Sequence, residues 1–250
     1  MSSRIKGILK YALIAVIWIA VWLVAALAVG KELLLPSPDA VFMRLCELTV
    51  STDFCVAIGA SLLRVIAGTA AGILIGILGG ILCALFPIAK DFFSPALAVI
   101  KSTPVASFII LLVLWISRDV APAVIATIVV IPIVWNNVEM GIRTADRELV
   151  ELATAYKMPL SKRAKILYLP AVRPHFMSAL RSSIGMSWKA GIAAEVLLVP
   201  TLSIGKQIFE SKYSLLSIDL FAWTVAVIII SVIIEKLTLA AFKLTAKKGG

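Results

Sequence analysis

One apolar run in the last third of the chain carries residues that could do chemistry. Ser178, Ser182, Gly185 and Lys189 recur at steps of three or four, so they share one helix face. A lysine at mid-bilayer costs about 2.5–3.5 kcal/mol on insertion scales, which makes it a functional candidate by default. A narrow polar face with one cation can line a path for an anion. The same lysine can also pair with a carboxylate from another helix, or snorkel to the surface. Trp188 beside it, and Ser102, Asn136 and Asn137 in other apolar runs, join the candidate path, although Asn also serves as interhelical glue and Trp as packing. Glu195 points to a different face from Lys189, near the outer end of the run, where a neighbouring helix or an external partner can meet it. Residues for bond chemistry are missing. His175 is the only histidine, without metal or triad partners, and reads as structural. Cys46, Cys55 and Cys83 have no metal-ligand spacing with it; Cys46 and Cys55 both fall outside the membrane, as a disulfide or as two free thiols. No G-x-x-x-x-G-K-[ST] phosphate loop is present, so ATP is not bound that way.

The elements that would position these residues are membrane helices. Of 250 residues, 61% are hydrophobic and 15% charged, against roughly 45–50% apolar in a soluble domain. Several apolar runs reach ~20 residues, the length that crosses a bilayer. Six spans are expected: 11–29, 58–86, 98–116, 121–140, 176–199 and 216–242. The first is longer than a signal-peptide core and reads as an uncleaved helix. Residues 1–57 form an N-terminal helix plus an amphipathic extracytoplasmic segment opening at Leu35-Pro36-Ser37-Pro38, and 58–250 form the core. Gly68, Gly72, Gly76, Gly79 and Gly80 make a small-residue stripe suited to close helix contact. Arg64, near the outer end of the second span, is expected to snorkel. Residues 87–95 read as a short inner turn, and Pro104 and Pro132 as kink positions.

The net charge of +10 is topological rather than a nucleic-acid footprint, because the cations sit in loops beside apolar spans. Lys31, Arg44, Arg118, Lys206 and Lys212 fall outside, and the far larger set of loop cations falls inside. That bias places both termini in the cytoplasm. The densest loop, 141–175, holds the longest polar interruption. Residues 150–156 form a short helix that Met158-Pro159 breaks. Ser161 is placed to cap a second helix, ending at Pro170. A helix–turn–helix held at the membrane surface is an offer to a soluble partner.

This loop resembles the signature of ABC importer permeases: E-A-A, three residues, G, nine residues, I-x-L-P. Glu151, Ala153, Leu169 and Pro170 match in register; Leu152 stands for the second Ala and Leu167 for Ile. Lys157 replaces the glycine that suits a left-handed turn, and Pro159 is read as supplying the break instead. The Leu35–Pro38 segment, Ser61-Leu62-Leu63-Arg64-Val65, Pro104 and Trp188-Lys189-Ala190-Gly191 fit the nitrate/sulfonate/taurine-like group, over roughly residues 35–242. The resemblance implies an all-α integral membrane protein with six transmembrane helices and the type I ABC importer permease fold. It implies a transport subunit of a prokaryotic inner membrane, not an enzyme, importing a small anionic or heterocyclic solute or vitamin precursor by alternating access. Glu151, Leu152, Ala153, Tyr156, Lys157, Met158 and Pro159 would form the ATPase-coupling loop. Implied partners are cytoplasmic ABC ATPase subunits, which hold the ATP and Mg, an extracytoplasmic solute-binding protein and a second permease subunit, with a homodimer favoured. This chain itself would hold no cofactor and no metal. Two rivals are a secondary transporter or channel without ATPases, and a membrane anchor. The first does not need a docking loop, and no inverted repeat is visible; the second leaves the polar face around Lys189 without a purpose.

Overall fold

The computed structural model describes the backbone of residues 3–247 and the side chains of 9–238 and 240; the terminal residues of the 1–57 and 58–250 segments lie outside that range. The described residues form helices and no strand. α1 (Ser3–Val29) leads to α2 (Pro38–Thr49), which opens with proline in its first turn and buries Val41, Leu45 and Leu48. α3 (Thr52–Leu85) starts at Ser51, whose hydroxyl accepts the Phe54 N–H at 3.2 Å. Then come α4 (Pro87–Ser102), α5 (Val105–Leu112) and α6 (Ala121–Arg143). The loop that follows holds α7 (Arg147–Ala155) and α8 (Leu160–Arg163), and runs into α9 (Leu169–Leu198); α10 (Ile204–Tyr213) and α11 (Ser217–Lys247) complete the chain.

Among the described residues four helices are long and apolar enough to cross a membrane: α1 over Leu9–Val29, α3, α6, and α11 over Ser217–Thr238. α4 and α5 together make a fifth pass, bent by 99°. α9, with 30 residues, extends about 45 Å, more than a bilayer core. It is less apolar because it carries Arg173, Arg181, Lys189 and Glu195. The expected all-α membrane bundle is what the chain forms, and six passes are compatible with it.

Several expectations about local structure are corrected. Residues 87–95 are not a turn but the first half of α4, since Pro87 takes a first-turn position that needs no N–H. The third pass is broken at Thr103-Pro104: the residue before proline is pushed out of the α region, and Thr103 is extended at φ −79°, ψ 128°. The second loop helix does not end at Pro170 either. It widens into a π turn over Ala164–Tyr168 and continues as α9, with Leu169 N–H reaching Ala164 O. Pro170 has no N–H to give and its ring crowds the preceding turn; the π widening accommodates both without ending the helix. Ser161 makes no cap bond; Pro159 occupies the N-cap position of α8.

α3, α6 and α9 form the centre. The glycine stripe of α3 is buried against α6. A Cβ on Gly68 would lie 2.1 Å from the Ala123 carbonyl oxygen, and one on Gly79 would lie 2.0 Å from the Trp135 ring. Backbone contact is close enough for Thr127 Oγ1 to donate to Gly68 O at 2.9 Å. A second core joins the N-terminal segment to the rest: Val41, Leu45 and Leu48 of α2 pack with Trp188 of α9 and Trp223 of α11. Arg44 Nε donates to Asp219 at 2.7 Å across the same α2–α11 contact, and the Glu47 and Asp219 carboxylates push its pKa above the usual guanidinium value. α1 meets this packing at Trp22, whose Nε1–H donates to Pro36 O at 3.2 Å and whose ring stacks near Phe221.

Candidate functional site

The loop is built on α7. Asp146 caps it by accepting the N–H groups of Glu148 and Leu149 at 2.9 and 3.3 Å. Its far end closes with paired reverse bonds: Met158 N–H to Ala153 O at 2.9 Å and Lys157 N–H to Thr154 O at 3.0 Å. This is a Schellman cap, which requires the intervening residue to be left-handed. That residue is Lys157, at φ +49°. The expectation that Pro159 replaces the left-handed turn is therefore overturned: lysine adopts the conformation that glycine would take, and Pro159 follows it as an extended residue at φ −62°, ψ 146°. Arg163 braces the turn, donating from Nε to Met158 O at 2.8 Å and from Nη1 to Thr154 Oγ1 at 3.0 Å.

The cap presents an apolar ridge. Ala153 is buried, whereas Leu149, Leu152 and Tyr156 recur along the outer side of α7, and Leu160 is exposed at the start of α8. Tyr156 is 78% exposed and Leu160 79%. Glu151 lies beside the ridge, paired with an exposed Arg147 at 3.0 Å, a contact worth little by itself. Met158 is half-buried at the turn.

The polar face of α9 stays open. Ser178, Ser182 and Lys189 are exposed, and a Cβ on Gly185 would meet nothing within 4 Å. No carboxylate lies within salt-bridge distance of Lys189 among the described residues. Trp188 turns the other way: it is 1% exposed, packed in the core, and its Nε1–H donates to Val227 O at 3.3 Å. The remaining path candidates are elsewhere. Asn137 Nδ2 donates to Ile133 O at 2.8 Å within α6, Ser102 sits exposed at the α4–α5 bend, and Asn136 lines a cavity between α4 and α6. No described hydrogen bond joins them to Lys189. His175 Nε2 lies 3.4 Å from Thr144 Oγ1 at the C-terminal end of α6, and Cys46 and Cys55 are free, exposed thiols.

Sequence reasoning missed a buried charge cluster. Glu195 is fully buried, and Arg64 does not snorkel away but donates to it at 3.1 Å. Glu195 also accepts the Ser61 hydroxyl at 2.6 Å and the Gly205 N–H at 3.3 Å, while the Ile204 N–H donates to Ser61 Oγ at 3.0 Å. Arg64 further donates to Leu202 O at 2.6 Å and lies 3.7 Å from Asp119, whose carboxylate accepts the Thr201 N–H at 2.8 Å. The start of α10 is thereby seated on α3 and α9. The readable signal was two opposite charges, each in an apolar span and each near the same end.

Comparison with known proteins agrees with this architecture. Over 97% of its length the chain is 26% identical to the aliphatic sulfonates transport permease protein of Bacillus subtilis (strain 168), covering 86% of that protein. It is 26% identical to the taurine transport system permease protein of Escherichia coli (strain K12) over 93% of this chain and 85% of that one. The nitrate import permease protein of Synechocystis sp. (strain ATCC 27184 / PCC 6803 / Kazusa) matches at 26% over 92% of this chain and 86% of that one. The model of one family matches residues 72–242, from the glycine stripe to the end of the last membrane span. With its capped surface loop and helical membrane core, the chain belongs to the binding-protein-dependent transport system inner membrane components, the permease subunits of ABC importers.

Proposed function

We propose that this permease admits a small oxyanion-bearing solute along the open face of α9, in a complex powered by separate ATPase chains. The observation that carries the coupling is the ridge Leu149, Leu152 and Tyr156, exposed on a rigid, doubly capped helix whose Ala153 is buried. Apolar side chains left in water on a pre-ordered surface favour a partner. The ATPase pair binds ATP and Mg; its closure moves α7, and α7 is continuous through the braced turn with α8 and α9. Both termini and this loop lie in the cytoplasm, and a solute-binding protein docks on the opposite side, where α2 and α10 lie.

The path forms where a second copy of the chain covers the face of Ser178, Ser182, Gly185 and Lys189. An unpaired cation on such a face is stabilised by a passing anion. Sulfonate and nitrate groups, which the names of the relatives mention, carry the right charge. Docking is tested by purifying the chain from its native membranes and assaying for a stoichiometric co-purifying ATPase. Glu151→Lys reverses the charge beside the ridge and leaves the bundle core untouched. The substituted chain should insert normally and lose its ATPase in detergent; normal retention of the ATPase would overturn the docking assignment.

A further inference from the structure

We infer that a second oxyanion site lies between α4 and α6, at the end of the bundle that carries the loop. A cavity of about 650 Å³ opens there. Lys90, Lys101 and Arg143 line it, and Glu139 is the one carboxylate among its lining residues. Glu139 is already engaged: its Oε1 receives both Lys90 Nζ and Arg143 Nε at 2.9 Å. Two cations are thus clamped in place by one acid, and Lys101 has no carboxylate within salt-bridge distance among the described residues. The excess positive charge faces a small volume with apolar walls from Leu97, Trp135 and Met140, which weaken screening and strengthen attraction for an anion.

Neutral donors complete the site. Ser94, Asn136 and Thr144 share the lining. Trp135, 7% exposed, lends its ring to the wall, while its indole Nε1 is buried away from the cavity surface. A chain that only needed positive charge for topology would place it in the loops. Lys101 instead stands in the last turn of α4, beside the helix break at Thr103-Pro104.

The ligand is a phosphate- or sulfate-like oxyanion. It comes from one of two sources: a free anion in the cytoplasm, or the headgroup of an anionic lipid in the adjoining leaflet, for which basic pockets between helices are suited. The assignment to the cytoplasmic side rests on the topology proposed above; the cavity and its charges do not. The site stands on α4 and α6, apart from the α9 face, so the transport reading survives its loss.

The test uses the full-length protein in two sets of nanodiscs. In phosphatidylcholine alone, the unfolding midpoint is followed against sodium sulfate, with sodium chloride holding ionic strength constant. In the second set phosphatidylglycerol replaces a rising share of the phosphatidylcholine. Saturable stabilisation by sulfate identifies the free anion, and saturable stabilisation by phosphatidylglycerol identifies the headgroup; either supports the site. Lys101→Gln should weaken the apparent affinity about tenfold or more, the effect of losing one charge-assisted bond, and Lys101→Arg should restore it. Arg118→Gln, on the opposite side, removes the same charge and should change nothing. No saturable stabilisation in either set, or equal affinity in Lys101→Gln and the unaltered chain, would overturn the inference. Lys101 is exposed, and its replacement leaves both Glu139 pairs in place, so folding is retained.

Discussion

Replacing Lys157 with glycine should tighten the end of α7. Lysine pays the left-handed penalty at φ +49°, about 1–2 kcal/mol for an ordinary L-residue. Glycine removes it but gives the unfolded chain more freedom, worth about 0.4–1 kcal/mol in the other direction. The difference leaves roughly 0.5–1 kcal/mol in favour of Lys157→Gly, or about a two- to fivefold shift in the local opening equilibrium. The reporters are the amides of residue 157 and Met158, which donate to Thr154 O and Ala153 O. Hydrogen exchange should slow there by that factor, with no change in the core of α3 or α6. Lys157→Ala is the reference: alanine bears the same left-handed cost, so its exchange should match that of lysine. Uptake by Lys157→Gly should stay near that of the unaltered chain, because the cap keeps its shape. Faster exchange at Met158 in the glycine chain would refute the argument, since a turn that glycine loosens is not left-handed at this residue.

Two further predictions concern the bundle. Gly68→Ala places a methyl group 2.1 Å from a backbone oxygen of α6, so it should separate α3 from α6 and lower the unfolding midpoint by several degrees; Gly59→Ala, where a Cβ meets nothing within 4 Å, should be neutral or raise the midpoint slightly. Lys189→Met should reduce uptake in proteoliposomes while the unfolding midpoint holds, because no carboxylate among the described residues is stranded by the change; parallel loss of stability and uptake would instead point to an acid on a partner subunit.

The local signals were the legible ones. Apolar runs marked the membrane passes because a bilayer demands unbroken length, and the glycine stripe marked the α3 face because only small residues admit a backbone so closely. Glu151, Ala153, Leu169 and Pro170 marked the loop because their spacing survives even where the glycine does not. Proline misled twice. Pro170 reads as a stop, yet a π turn carries the helix past it, and Pro87 reads as a turn while it opens a helix. Periodicity does not register such local adjustments in hydrogen bonding. Lys157 misled because a left-handed lysine is uncommon, and the price of that conformation is visible only when the cap bonds are. The Arg64–Glu195 contact went unread for a different reason: 131 positions separate its ends, no periodicity reports on that distance, and only the opposite charges at one end of two spans point to it.

That pair also bears on the order in which the chain is assembled. Arg64 is made and inserted with α3 well before Glu195 is synthesised, and α9, which brings the acid, is the least apolar of the passing helices. A lone arginine or glutamate inside the bilayer is costly to insert, about 2.5–3.5 kcal/mol for the arginine. The first acid made that can reach it is Asp119, 3.7 Å from Arg64 in the folded chain. When α9 arrives, its carboxylate enters a place where a guanidinium and a serine hydroxyl already wait. Late insertion and folding are then coupled at this pair, with α10 seated on Glu195 and only α11 still to follow in the chain.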